Sequence, residues 1–195
     1  MTQIRSQLKH FKIISEIGKG GMGTVYLAQD VSLDRKVALK VLSPRLTRDE
    51  EMVERFVHEA RAQARMNHPN IAHIYFIGKE GGSHFFAMEL VNGKTLAEVV
   101  SEKGPLPWEK ALEYVRQATM GLAEAHEQHI VHRDIKPSNL MLTDKGVIKI
   151  MDFGLARRIE KDSLVTGAGE ITGTPSYMSP EQGRGHETDH RSDIY

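Results

Sequence analysis

From residue 11 to residue 90 the chain is a succession of short β-branched and aromatic runs: FKIISEI (11–17), TVYLAQD (24–30), KVALKVL (36–42), IAHIYFIG (71–78) and HFFAMEL (84–90). Runs of this length, bounded by Gly or charged turns such as KEGG, read as strands. One helical stretch interrupts them. TRDEEMVERFVHEARAQARM opens with a Thr47/Glu50 capping-box spacing. It carries Met52, Val53, Phe56, Val57, Ala60 and Ala64 as one apolar stripe, and Pro69 prevents its continuation. After a linker near 91–94 the pattern changes. A short helix at Thr95–Glu102 stops at Gly-Pro. A long helix from about Pro107 to His129 presents Trp108, Ala111, Leu112, Val115, Ala118, Leu122 and Ala123 as its buried stripe. The order is a sheet-rich half followed by a helix-rich half, an α+β chain, and a cleft between two such halves is a common place for a ligand.

The 195 residues give room for one ordinary domain or for two small lobes. Lys plus Arg equals Asp plus Glu at 26 each, so no long-range field advertises nucleic acid or an anionic membrane. The absence of cysteine excludes disulfides, thiolate metal sites and a cysteine nucleophile. No apolar run approaches the roughly 18 residues of a spanning helix, and MTQIRSQLKH lacks the apolar core of a signal peptide. The segment reads as cytoplasmic, with any membrane anchor lying outside it.

IGKGGMGTVY (17–26) contains G-x-G-x-x-G-x-V at Gly18, Gly20, Gly23 and Val25. Glycines let backbone N–H groups approach phosphate oxygens. A dinucleotide fingerprint needs its third glycine to open a helix. Here a strand continues, which makes a strand–turn–strand flap. Lys40 stands on the following strand, where its ammonium could reach phosphates under the flap. A buried ammonium needs a counter-charge, and Glu59, bordering the apolar stripe of the helix in this half, is the candidate.

HRDIKPSN (132–139) gathers an aspartate, a lysine and an asparagine on a stretch where Pro137 argues against a regular helix. LMLT and VIKI follow, joined by the hairpin turn signal DKG. A hairpin returns the chain to its start, so Asn139 before it and Asp152 after it face the same space. Two hard oxygen donors beside a polyphosphate pocket suit Mg²⁺. Asp134 can then orient or deprotonate an attacking hydroxyl, and Lys136 can neutralise the group in flight. Phosphoryl transfer asks for positioning and charge neutralisation of this kind.

In order along the chain, these residues resemble the protein kinase family. The match comprises Gly18-x-Gly20-x-x-Gly23-x-Val25, Val37-Ala38-Leu39-Lys40, Glu59, His132-Arg133-Asp134, Asn139, Asp152-Phe153-Gly154 and Ser179-Pro180-Glu181. DIKPSN and GTPSYMSPE look like the serine/threonine branch, and GGMGTVYLAQD, HPNIAHIY and SPEQGRG are similar to bacterial serine/threonine kinases. The resemblance implies a bilobal fold: an N-terminal antiparallel β-sheet lobe plus one helix, then a mainly helical lobe that is incomplete. Residues 1–10 would be an extension, 11–91 the ATP-binding lobe and 92–195 part of the catalytic lobe. It implies transfer of the ATP γ-phosphate to Ser/Thr hydroxyls of proteins, the chain itself included through self-association, with Mg²⁺ or Mn²⁺.

The same resemblance makes Asp134 the base, pairs Lys40 with Glu59 on the ATP phosphates, and gives Asn139 and Asp152 the metal. Ile17, Gly18, Lys19, Gly20, Gly21, Met22, Gly23 and Thr24 would form the lid. Val25, Ala38 and Met141 would sandwich adenine, Met88 would guard the back pocket, and the backbones of Glu89 and Val91 would pair with the adenine edge. Thr174 would touch Asp134. Ser163, Thr166 and Thr172 are candidate phosphorylation sites in the activation segment, with Arg133 as the phosphate's partner.

Three departures stand out. The usual Ala-Pro-Glu reads Ser179-Pro180-Glu181. Gln63 takes a place usually apolar, packed between helix and Phe153, which weakens the active alignment. RSDIY is where the family opens its central helix, from which Asp193 would brace the backbone around His132-Arg133-Asp134. A lobe stopping there leaves an exposed apolar underside and a fragment weak or inactive on its own. Two other readings compete. HETDH (186–190) fits the zinc peptidase pattern H-E-x-x-H through His186, Glu187 and His190, and His126, His129 and His132 recur at a spacing that matches no compact zinc motif. A non-catalytic nucleotide- or partner-binding fragment is the other.

Overall fold

The computed structural model describes residues 6–153 and 175–195, apart from the side chains of Arg55, Glu59 and Pro175. The chain divides into two compact units, Met1–Ala64 with His73–Leu90, and Arg65–Ala72 with Val91–Tyr195.

The first unit is a six-stranded antiparallel sheet. Its strands are β1 (Gln7–Leu8), β2 (Phe11–Gly20), β3 (Gly23–Asp30), β4 (Arg35–Leu42), β5 (Ile74–Glu80) and β6 (Ser83–Glu89), in spatial order β1-β2-β3-β4-β6-β5. Alternation sorts the side chains onto two faces. Tyr26, Ala28, Val37, Leu39, Phe85 and Ala87 share one face and form a core with Leu8 and Phe11. Val25, Ala38, Lys40, Phe86 and Met88 share the other, because Val25 pairs Lys40, Ala38 pairs Met88 and Lys40 pairs Phe86. The β5–β6 hairpin closes through Gly81 and Gly82, both at positive φ (55° and 83°), as a two-residue turn between right-twisted strands requires.

Helix α1 (Glu50–Arg65) sets the Phe56 ring 5.1 Å from that of Phe86. Two expectations are corrected here. Thr47 does not cap the helix: it lies in the 3-10 turn Leu46–Arg48 and its hydroxyl donates to Pro44 O. Asp49 intervenes with an extended backbone, and its carboxylate accepts the Met52 amide at 3.2 Å. The buried stripe is Met52, Phe56, Ala60 and Gln63, with Ala64 half-buried.

In the second unit β7 (Gly93–Thr95), β8 (Leu140–Thr143) and β9 (Ile148–Ile150) form an antiparallel sheet. The hairpin expected at DKG is present, with Gly146 at φ 78°. The far edge of β9 is taken by residues 70–72. Ile71 makes a parallel bridge to Ile150, the Ile150 amide donates to Asn70 O, and the Ala72 amide donates to Ile150 O. The run expected as one strand over 71–78 is thus divided: Ile71 and Ala72 belong here, and β5 begins only at Ile74.

Helix α2 (Leu96–Lys103) starts at a capping box between Thr95 and Glu98. Helix α3 (Trp108–Glu127) lays Ala118, Gly121, Leu122 and Ala125 against the core of Met66, Ile71, Leu140, Ile148, Ile150 and Phe153. Only this C-terminal half of the expected stripe is covered. Trp108, Leu112 and Val115 are 71%, 60% and 56% exposed, and Ala123 faces solvent. Just past the end of the helix His129 has φ 59°, which lets the Ile130 amide return to Ala125 O. A short helix α4 (Pro180–Gly183) and a 3-10 turn, His190–Asp193, complete the described residues.

Candidate active site

In the first unit the glycine-rich stretch is the β2–β3 hairpin, pairing Gly18 with Val25, Lys19 with Thr24 and Gly20 with Gly23 around Gly21 and Met22. Gly23 is demanded by the fold, since a β-carbon there would fall 2.0 Å from Val41 O. Gly20 and Gly21 are not: a β-carbon at either meets nothing within 4 Å, and neither has a positive φ. Glycines that their own unit does not require fit a ligand approaching the backbone from outside. Ile17 sits in a bulge between Glu16 and Gly18 and is exposed.

Lys40 is 7% exposed on β4, beside Ala38 and across from Val25 and Phe86. Its expected partner Glu59 lies on α1 with a side chain outside the described residues, and Gln63, one turn on, is buried. Met88 is buried, and the Glu89 amide donates to His73 O at 2.8 Å.

The second unit carries Val91, Met141 and the catalytic-loop candidates. Asp134 Oδ2 lies 2.9 Å from Lys136 Nζ and accepts Asn139 Nδ2 at 2.8 Å. The same Nδ2 donates to Asp134 O at 2.8 Å. With the amide nitrogen spent twice on Asp134, the acceptor end of Asn139 is Oδ1. The β8–β9 hairpin brings the Met151 amide to Asn139 O at 2.9 Å, so Asp152 follows directly beside Asn139, with φ 49°. A carboxamide oxygen and a carboxylate from adjacent backbone are the hard donors a Mg²⁺ ion shared with phosphates accepts.

The loop is fixed from behind. His132 is fully buried; its Nδ1 accepts the Asp134 amide at 3.2 Å, so Nε2 carries the proton and donates to Met151 O at 2.9 Å. Burial pushes the His132 pKa below the usual imidazole value, which suits a ring whose Nδ1 must remain an acceptor. Asp193 accepts the amides of His132 and Arg133 at 2.7 and 2.6 Å. The brace expected of Asp193 is thus in place, carried on the 3-10 turn. Sequence reasoning missed two further supports. Asn70 Nδ2 donates to Ile148 O and Gln117 Oε1 accepts the Ile148 amide, both at 2.8 Å. Gln182 Nε2 donates to Arg133 O at 2.9 Å. Only the Ser-x-x-Gln spacing of 179–182 carried a local signal for the latter.

Gly154, Ser163, Thr166, Thr172 and Thr174 lie outside the described residues. The zinc reading of HETDH is corrected. Residues 186–189 are irregular, so His186 and His190 are not one turn apart on a helix. Asp189, its carboxyl pulled down to about 2 by the Arg191 guanidinium, caps the turn that follows. His126 is 2.8 Å from Asp193 Oδ2, and its ring lies 5.7 Å from that of His190. Among the described residues no group of three His, Cys, Asp or Glu side chains is arranged to hold a metal.

The protein kinase domain model matches residues 11–195. This chain belongs to the protein kinase domain family. The chain is 44% identical over 185 residues to serine/threonine-protein kinase PknL of Mycobacterium tuberculosis, covering 95% of this chain and 46% of the relative. It is 42% identical over 185 residues to serine/threonine-protein kinase PrkC of Bacillus subtilis, covering 95% and 28%. The chain therefore spans less than half the length of these relatives. The crystal structure of the Mycobacterium tuberculosis PknI kinase domain matches with a TM-score of 0.76 at 32% identity, over 95% of this chain and 68% of that chain. The fold is the protein kinase fold, with an antiparallel sheet unit and a mainly helical unit. Kinases of this family use ATP with Mg²⁺. Among the described residues of this chain, no helix is long and apolar enough to cross a membrane.

Proposed function

We propose that this chain is the catalytic segment of a protein-serine/threonine kinase that transfers the ATP γ-phosphate to Ser and Thr hydroxyls of proteins, its own included. The observation that carries the reading is the Asp134 carboxylate held between Lys136 at 2.9 Å and Asn139 at 2.8 Å, with Asp152 beside Asn139. In this reading residues 11–91 bind the nucleotide. Lys40 with Glu59 holds phosphates, the 17–25 hairpin covers them, and Val25, Ala38, Met88, Glu89, Val91 and Met141 receive adenine. Residues 92–195 do the chemistry.

Bound ATP with Mg²⁺ supplies the phosphoryl group and neutralises much of its charge. The chain's own groups do the rest. Asp134 orients the attacking hydroxyl and takes its proton at a carboxylate oxygen. Lys136, already paired to that carboxylate, sits where negative charge develops. Asn139 and Asp152 supply the oxygens that would hold the cation, and Asn139 Nδ2 keeps Asp134 from rotating away. Ser163, Thr166 and Thr172 are the proposed targets of self-phosphorylation, reached in this reading through association of two copies. In this reading the reaction takes place in the cytoplasm, where ATP is at hand.

The test is incubation of the full-length protein with Mg²⁺ and radiolabelled ATP, beside Asp134→Asn. Label on Ser or Thr is expected from the parent and none from the variant; equal labelling of both would refute Asp134 as the base.

A further inference from the structure

Helix α4 is closed by its own ends. Ser179 Oγ accepts the Gln182 amide at 3.4 Å and Gln182 Oε1 accepts the Ser179 amide at 3.0 Å. That capping box works with Glu as well as with Gln at its third position. It occupies only one end of the Gln182 carboxamide. The other end, Nε2, reaches 49 positions back along the chain and donates to Arg133 O at 2.9 Å.

Arg133 immediately precedes Asp134 and has φ 65°, a left-handed backbone that a β-carbon disfavours. The peptide plane before its α-carbon is held through its N–H by Asp193 Oδ1 at 2.6 Å. The plane after it is held through its C=O by Gln182. Peptide groups are rigid, so fixing the two planes on either side of an α-carbon fixes φ and ψ there, and with them the direction in which Asp134 leaves the loop. The two holders are themselves joined. Glu181, next to Gln182, accepts the hydroxyl of Ser192, next to Asp193, and that contact pulls the Glu181 carboxyl below its usual range.

We infer that Gln182 is a positioning residue: its carboxamide, acting through the Arg133 carbonyl, sets the direction of the Asp134 carboxylate. The inference rests on the reading of Asp134 as the base. A Glu at this position would keep the cap and place an acceptor against the carbonyl. An apolar residue would lose both contacts.

The test uses Gln182→Glu and Gln182→Leu in the full-length protein. Amide hydrogen exchange by mass spectrometry reads the clamp without turnover. In Gln182→Glu, exchange in the peptide spanning 131–136 should rise by about fivefold or more, while the peptide spanning 179–184 and the melting temperature keep their parental values. Steady-state rates should show kcat lowered about tenfold with KM for ATP unchanged. Gln182→Leu should lower kcat and also speed exchange at 179–184. Parental exchange at 131–136 in Gln182→Glu, or a parental kcat, overturns the inference. A parent protein that transfers no phosphate would overturn the kinase reading instead, and the exchange data would still decide whether Gln182 holds the loop.

Discussion

Asp193 Oδ1 accepts the Arg133 amide at 2.6 Å, 60 positions away in sequence. Its other oxygen takes the His132 amide at 2.7 Å and His126 Nε2 at 2.8 Å. Three donors converge on a carboxylate whose side chain is fully buried. Burial of a charge is tolerable when its lone pairs are filled in this way. In exchange, two consecutive loop amides that no strand or helix satisfies find an acceptor.

Asp193→Asn puts a donor among donors. One of the three contacts must be lost or become a clash. The unfolding free energy should fall by about 1–3 kcal/mol, with phosphoryl transfer falling further than the stability loss alone would bring. Urea denaturation and the labelled-ATP assay measure the two. A variant as stable as the parent would show that the three contacts do not hold the loop.

Gly23→Ala and Gly20→Ala should separate structure from ligand approach. The β-carbon at Gly23 meets backbone, Val41 O, at 2.0 Å, so β3 and β4 must part, at a cost of about 1–3 kcal/mol. At Gly20 it meets nothing within 4 Å, and stability should stay within about 0.5 kcal/mol of the parent. The KM for ATP should nevertheless rise. Thermal melts of both variants, with ATP kinetics of the second, test the contrast.

His129→Gly should stabilise the protein. His129 holds φ 59° where α3 ends, and glycine adopts that conformation without the β-carbon penalty. The expected gain in unfolding free energy is about 0.5–1 kcal/mol by chemical denaturation. A loss would mean that the His129 side chain contributes more than its backbone costs.

Stability should also fall in mild acid through His132. Burial depresses its folded-state pKa, outweighing Asp193, Asp134 and Asp152, which act to raise it. The unfolded chain then binds a proton that the folded chain does not, once pH drops below about 6.5. The contribution of His132 is complete above that pH and is lost as pH falls toward the folded-state value. NMR should show its ring resonances flat through pH about 6.5. An imidazole titrating at the ordinary value would refute the assignment of Nδ1 as a standing acceptor.

The loop 132–139 and its return hairpin were legible because their signals are local. Pro137 argues against a regular helix, and the chain makes only a 3-10 turn at Pro137–Asn139; DKG turns the chain, and the rest follows from strand length. The start of α1 was misread because Thr47 has the right spacing to Glu50 but is committed to a turn with Pro44, leaving the cap to Asp49. Helix α3 was half legible. A period of 3.6 says which residues share a face and not how far along the axis a neighbour covers it, so Trp108, Leu112 and Val115 joined Ala118 and Leu122 in one stripe. Asn70 left no sign of its role, and Gln182 only the Ser-x-x-Gln spacing of its cap, because each acts on a backbone group 78 or 49 positions distant. Asp193, acting over 60, was reached only through family resemblance.

The strip of chain at Arg65–Ala72 belongs with residues that begin at Val91, although β5 and β6 separate them. Met66 and Ile71 are 0% and 1% exposed there, and Ile71 borders β9. Severing the polypeptide between Leu90 and Val91 would therefore not yield two self-sufficient halves. The later piece would be missing part of its interior and one border of the strand that leads to Asp152. The two units are interleaved along the chain, and a gene-level dissection that respects both needs three breakpoints rather than one.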